Sequence, residues 1–218
     1  MDPDNPVVSL CAQGMRAEAE GRPADAVGLF QQAWEAAGDD YEACVAAHYL
    51  ARHQPTPRLT LHWNQEGLRR AELVGDERVA AFRPSLHLNL AKAYAEVGEP
   101  ERAREHFVLA AARLEAVPPG PYAEWIRIVI AEGLRATGAV PPRDTDGLVT
   151  ALLGRLCERG DLKALGMILP AHLADLGTED DRMRLVTALH MVHAGRWLPE
   201  DEQRLLGRAI GSSAAVAP

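Results

Sequence analysis

Apolar and small residues recur along this chain at intervals of three and four, and no stretch keeps the period of two that marks a half-buried strand. The pattern predicts helices over 8–20, 23–37, 41–53, 58–74, 85–97, 100–116 and 122–137. Pro23 and Pro100 stand where proline suits a first helical turn, because its missing N–H would have no intrahelical partner there. Pro84 either starts a helix in the same way or kinks a longer one that begins near Asp76. The two strongest breaks are Pro118-Pro119-Gly120-Pro121 and Val140-Pro141-Pro142-Arg143. Beyond the second, Asp144 or Thr145 is expected to cap a helix running to Glu158, followed by helices over 161–176, 179–194 and 199–210 and a frayed tail over 211–218.

Within the helical pattern a finer one repeats. The run Asn89-Leu90-Ala91-Lys92-Ala93-Tyr94 is followed by Gly98, Ala103, Phe107 and Ala110. Setting Gly14 against Ala91 brings Gly21, Ala26, Phe30 and Ala33 into line with those four, without a gap. A divergent copy opens with Leu50-Ala51, turns at Gln54-Pro55-Thr56-Pro57 and, with one extra residue in that turn, puts Asn64, Leu68 and Ala71 at the packing positions; a fourth opening helix carries Ala131 and stops at Gly138. Small and aromatic residues at these offsets let paired helices approach closely and stack on the next pair. Residues from about Val7 to Leu114 therefore resemble tetratricopeptide repeats, although Ala17 replaces an aromatic residue, Leu10 and His87 replace the usual Trp, and the copies are spaced more widely than the roughly 34 residues of the basic unit.

The resemblance implies an all-α fold: a right-handed superhelix of antiparallel helix pairs over 7–138, then a C-terminal helical region over 144–212. Thr187-Ala188, Gly195, Leu206 and Ala209 faintly echo the repeat, so that region is expected to be degenerate repeats or a bundle that shields the last apolar face.

Composition narrows the function. The chain has 218 residues, 47% of them hydrophobic, enough to bury a sizeable core, and only 5% aromatic. Net charge is −8 and no Lys/Arg stripe follows a helix, so nucleic acid is not expected as a direct ligand. Cys11, Cys44 and Cys157 are isolated, without metal-ligand spacing, and read as buried thiols of a reducing compartment. With no long apolar run and an acidic, turn-forming start, the chain is expected to be cytoplasmic and not bound to a membrane.

In a tetratricopeptide superhelix the first helix of each pair lines the concave groove. The resemblance therefore turns Val8, Cys11, Ala12, Met15 and Glu18 into the groove, with His48, Tyr49 and Arg52 from the second repeat, Leu88, Asn89, Lys92 and Glu96 from the third, and Trp125, Ile128, Val129, Glu132 and Arg135 from the fourth. Arg52 and Lys92 then form a local basic patch on an acidic protein, with Tyr49 and Asn89 as hydrogen-bond donors beside them. His48, Tyr49, Arg52, Asn89, Lys92, Trp125 and Glu132 are the candidate binding residues for a protein or peptide that presents a carboxylate.

Catalytic and metal readings are weaker. Cys44 and His48 lie one turn apart, in the spacing of a nucleophile and its base, but no third group orients them. His190 and His193 share a helix without a third ligand, and Asn64 reads as a buried hydrogen-bonded group or the wall of a small pocket. The expectation is a non-enzymatic scaffold without cofactor or metal. The alternative is a small-molecule-binding or catalytic helical protein with a pocket between the groove and the C-terminal helices.

Overall fold

The computed structural model describes residues 4–141, 144 and 146–215, and among them eleven α-helices and no strand. The helices are α1 (Pro6–Ala19), α2 (Pro23–Ala36), α3 (Asp40–Leu50), α4 (Pro57–Val74), α5 (Arg83–Glu96), α6 (Pro100–Ala111), α7 (Pro121–Ala136), α8 (Leu148–Arg159), α9 (Leu162–Leu173), α10 (Glu179–Gly195) and α11 (Glu200–Ala215).

Their starts follow from side chains that satisfy the first backbone N–H groups. Asn5 Oδ1 accepts from the amides of Val7 and Val8, Asp39 Oδ1 from Glu42 and Asp161 Oδ1 from Ala164. At α8 the cap position is Gly147, and the first amides are served from before it: Asp146 Oδ1 takes that of Leu148 at 3.1 Å, and the two carboxylate oxygens of Asp144 take those of Val149 and Thr150 at 3.0 and 2.7 Å. The other candidate cap, Thr145, lies outside the described residues, as do Pro142 and Arg143 of the preceding break and residues 216–218 of the expected tail.

Several ends differ from expectation. The last turn after α3 tightens into a 3₁₀ turn, Ala51–His53, and a second one, Leu114–Ala116, follows α6. Both readings of Pro84 hold in part: a 3₁₀ segment, Glu77–Phe82, is capped by Asp76, and α5 then begins with Pro84 in its first turn. α11 runs on to Ala215 instead of fraying after Ile210, and the hydroxyl of Ser212 is hydrogen-bonded to Asp146, holding that carboxyl below the usual range.

The chain forms two compact units, Met1–Ala123 and Glu124–Pro218, the division falling in the first turn of α7. In the first unit each helix from α1 to α6 packs on the next, and α1 also touches α3. Small residues make this close packing possible. Ala26, Ala33, Ala91, Ala103 and Ala110 have no exposed surface. Gly14 lies so near Phe30 that any Cβ there would overlap the ring.

The turns repeat as well as the contacts. Gly21 and Gly98 both take positive φ, and in each the next residue's amide reaches back five positions, Arg22 to Ala17 O at 2.8 Å and Glu99 to Tyr94 O at 2.9 Å. These residues were aligned in the sequence, and they close equivalent turns. Adjacent helices therefore pair as a helical repeat requires.

In the second unit α8 packs on α9, α9 on α10, α10 on α11 and α11 back on α8. Leu152, Leu156, Ile168, Leu189 and Leu206 fill the centre of this ring and are fully buried. Arg127 and Arg135 of α7 reach the end of α9, donating to the carbonyls of Ala174 at 3.0 Å and of Leu173 and Asp175 at 3.1 and 3.2 Å. They satisfy carbonyls that a helix C-terminus leaves open.

Candidate partner-binding site

Four of the candidate residues meet in the first unit. His48 and Tyr49 occupy the last turn of α3, and Arg52 follows in the 3₁₀ turn. Asn89 of α5 brings its Nδ2 to 3.5 Å from His48 Nδ1, tying α5 to α3. The His48 ring stands edge-on to Tyr49 at 5.2 Å, and the Arg52 guanidinium lies over the Tyr49 ring at 5.8 Å. Lys92, one turn beyond Asn89, is exposed.

Burial sets the protonation of this cluster. It lowers His48 to about 4, helped by the charge of Arg52, so the imidazole is neutral at neutral pH. Tyr49 is pushed up, first by burial, and its phenol stays protonated as a hydrogen-bond donor. A neutral imidazole, a phenol, an amide and the Arg52 guanidinium make a cluster suited to hydrogen-bonding and neutralising an anion.

Two neighbours escaped the sequence reading of the site. Glu18 of α1 pairs with Arg52 at 3.1 Å and also with His53. Phe30 stacks on Tyr49 at 5.4 Å and on His53 at 6.1 Å, giving the exposed edge of the site a rigid aromatic floor. Glu18 was placed on the same face by register, but the pairing needs the 3₁₀ turn, which helical periodicity does not announce.

Trp125 and Glu132 lie two turns apart on α7 in the second unit, both exposed, Trp125 at 53%. Not every residue expected to face a groove does so. Cys11 and Leu88 are buried, at 2% and 1% exposure, because they sit on the side of α1 and α5 that meets neighbouring helices. Arg135 is turned to the end of α9.

The remaining candidates are placed as follows. Cys44 is fully buried and its thiol is pushed up to about 12 by burial, while His48 is driven down, so neither thiolate nor imidazolium forms there at neutral pH. Cys157 is exposed, contrary to its expected burial, since it lies on the outer face of α8. Asn64 is buried and its Nδ2 donates to Thr60 O at 3.0 Å. Among the described residues no group of three or more His, Cys, Asp or Glu side chains is placed to hold a metal ion, and no helix is long and apolar enough to cross a membrane.

No protein-family model, curated protein or solved structure matches this chain.

Proposed function

We propose that this chain is a tetratricopeptide-like scaffold that binds a protein or peptide partner through a carboxylate group, using the face shared by α1, α3 and α5. The observation that carries the reading is the contact of Asn89 with His48, which joins α5, carrying Lys92 one turn further on, to the end of α3, where Tyr49 stands against His48 and Arg52 lies over the Tyr49 ring. Repeats present their ligand surface across successive opening helices, and here that surface holds two exposed cations on a chain of net charge −8. Arg52 keeps donors beyond the one given to Glu18, because a guanidinium carries five.

The test is an array of peptides in two forms, with a free C-terminal carboxylate and with an amide. The expected result is retention of a subset of the free acids, weakened by salt, with the amides held less well. Arg52→Glu combined with Lys92→Glu is expected to lower the affinity for those peptides by about 2 kcal/mol, since a charge reversal replaces attraction by repulsion. Equal binding of acids and amides, or a double variant that binds normally while folded, overturns the reading.

A further inference from the structure

A concave cleft lies wholly within the second unit, with a volume of about 740 Å³. Its walls are Ile128 of α7, Met167 and Leu169 of α9, and Met183, Ala188 and Met191 of α10. The volume falls in the range of pockets that enclose small organic ligands. Met183 and Met191 are 58% and 56% exposed, and unbranched thioether side chains of this kind adapt to an irregular apolar body.

The charged groups of the lining balance. Arg127 is bound to Asp181, Arg184 lies 3.9 Å from the same carboxylate, and Glu124 is the second acid. Two cations and two anions leave the cleft without net charge, so an ionic ligand would meet as much repulsion as attraction. An uncharged one would not.

A backbone group adds a hydrogen-bond acceptor to this lining. Pro170 stands inside α9 and has no N–H, so the carbonyl of Gly166, four residues earlier, lacks the donor that a helix would give it. Both residues line the cleft. A Cβ built on Gly166 would meet nothing within 4 Å, which leaves this stretch of α9 open to an occupant.

We propose that this cleft binds an uncharged, largely apolar small molecule carrying one hydrogen-bond donor. Its body lies against the methionines and its donor meets the Gly166 carbonyl. The inference is independent of the carboxylate reading, which concerns different side chains in the other unit.

The test is a fluorescence titration of the full chain with N-phenyl-1-naphthylamine, an uncharged aromatic with a single N–H. Three comparisons accompany it: its sulfonated relative 8-anilino-1-naphthalenesulfonate, its N-methylated form, and the variants Gly166→Trp and Met191→Glu. Saturable one-to-one binding of the parent probe is expected, with the sulfonate and both variants weaker by about tenfold or more and the N-methylated probe weaker by about fivefold. Gly166→Trp fills the open side of α9 and Met191→Glu puts a charge on an exposed wall position, and thermal melts unchanged from the parent would show both variants folded. Absence of saturable binding overturns the proposal, as do equal affinity for the sulfonate or full binding by the two folded variants. Equal binding of the N-methylated probe overturns the donor assignment. Displacement of the probe by an amphipathic Leu/Lys model helix at lower concentration than by dodecanol, or a dimer that excludes the probe, would give the cleft to a protein partner and overturn the small-molecule reading.

Discussion

Arg52 Nη2 lies 3.1 Å from Glu18 Oε2, so the cation best placed to meet an anionic partner is already held by an anion of α1. Glu18 also engages His53, and its side chain is 16% exposed. Binding a carboxylate at Arg52 therefore competes with an internal pair. Glu18→Gln should relieve that competition and tighten a carboxylate-bearing peptide by about three- to tenfold, while lowering stability by roughly 1 kcal/mol through the lost half-exposed ion pair. Fluorescence polarisation with a free-acid peptide from the array would read the first effect, and a urea melt the second. Weaker binding by Glu18→Gln would mean that Glu18 positions Arg52 for the ligand instead of opposing it.

The small residues at the helix contacts of the first unit make a stability prediction. Ala103 is fully buried between α5 and α6, and Gly14 faces the Phe30 ring where a Cβ would overlap. Ala103→Leu should cost about 1 to 3 kcal/mol by overpacking. Gly14→Ala should cost a similar amount despite its better helix propensity, because Phe30 is itself enclosed and has little room to move. Urea denaturation gives both values. Neutral effects at both sites would remove the basis for aligning Gly14 with Ala91.

Acid should destabilise the chain before its carboxylates are protonated. His48 and His87 are both lowered to about 4, first by burial, and His106, whose Nδ1 lies 3.0 Å from that of His87, is lowered for the same reason. The unfolded chain would take up the His48 and His87 protons near pH 6.5 and the folded chain only near 4, so the unfolded state binds more protons in between. Stability is then complete above about pH 6.5 and is lost as pH falls toward 4. A decline of about 1 to 2 kcal/mol for each of the two histidines between pH 7 and 4.5 is expected in denaturant melts, and His87→Gln should flatten it. Glu66, held near 2 first by its hydrogen bond from Arg69, keeps its stabilising contribution through that window and loses it only as pH falls further toward 2.

The fold was legible wherever the backbone obeys local rules. Gly21 and Gly98 sit at equal offsets from aligned helices, and such a turn is written in adjacent residues. Asp144 was readable as serving the start of α8 for the same reason. The contacts among the candidate residues were only partly legible. Asn89 and His48 follow from helical register, but the contact between Arg52 and Glu18 depends on a 3₁₀ turn, and the burial of Cys11 and Leu88 on how wide a face the neighbouring helices cover. Nothing in the spacing of Arg127 and Arg135 announces that both turn to the end of α9, because their partners lie some forty to fifty residues away in the chain.

That distant anchor supports the last prediction. Asp181, only 2% exposed, is bound by Arg127, by the Thr178 hydroxyl at 2.7 Å and by the Leu176 amide at 3.1 Å. Burial alone would raise its carboxyl, but Thr178 and Arg127 outweigh it and hold the group below the usual range. Arg127→Met removes the nearer counter-charge from an anion that water scarcely reaches, at a cost of about 2 to 4 kcal/mol, moderated by the two remaining hydrogen bonds and by Arg184 at 3.9 Å. Adding Asp181→Asn removes the stranded charge while keeping an amide of the same shape, so the double variant should recover part of that loss. Thermal melts of the parent, both single variants and the double variant give the coupling directly. If Arg127→Met and the double variant lose equal stability, Asp181 is not stranded when Arg127 is removed, and the pair does not hold α7 to the rest of its unit.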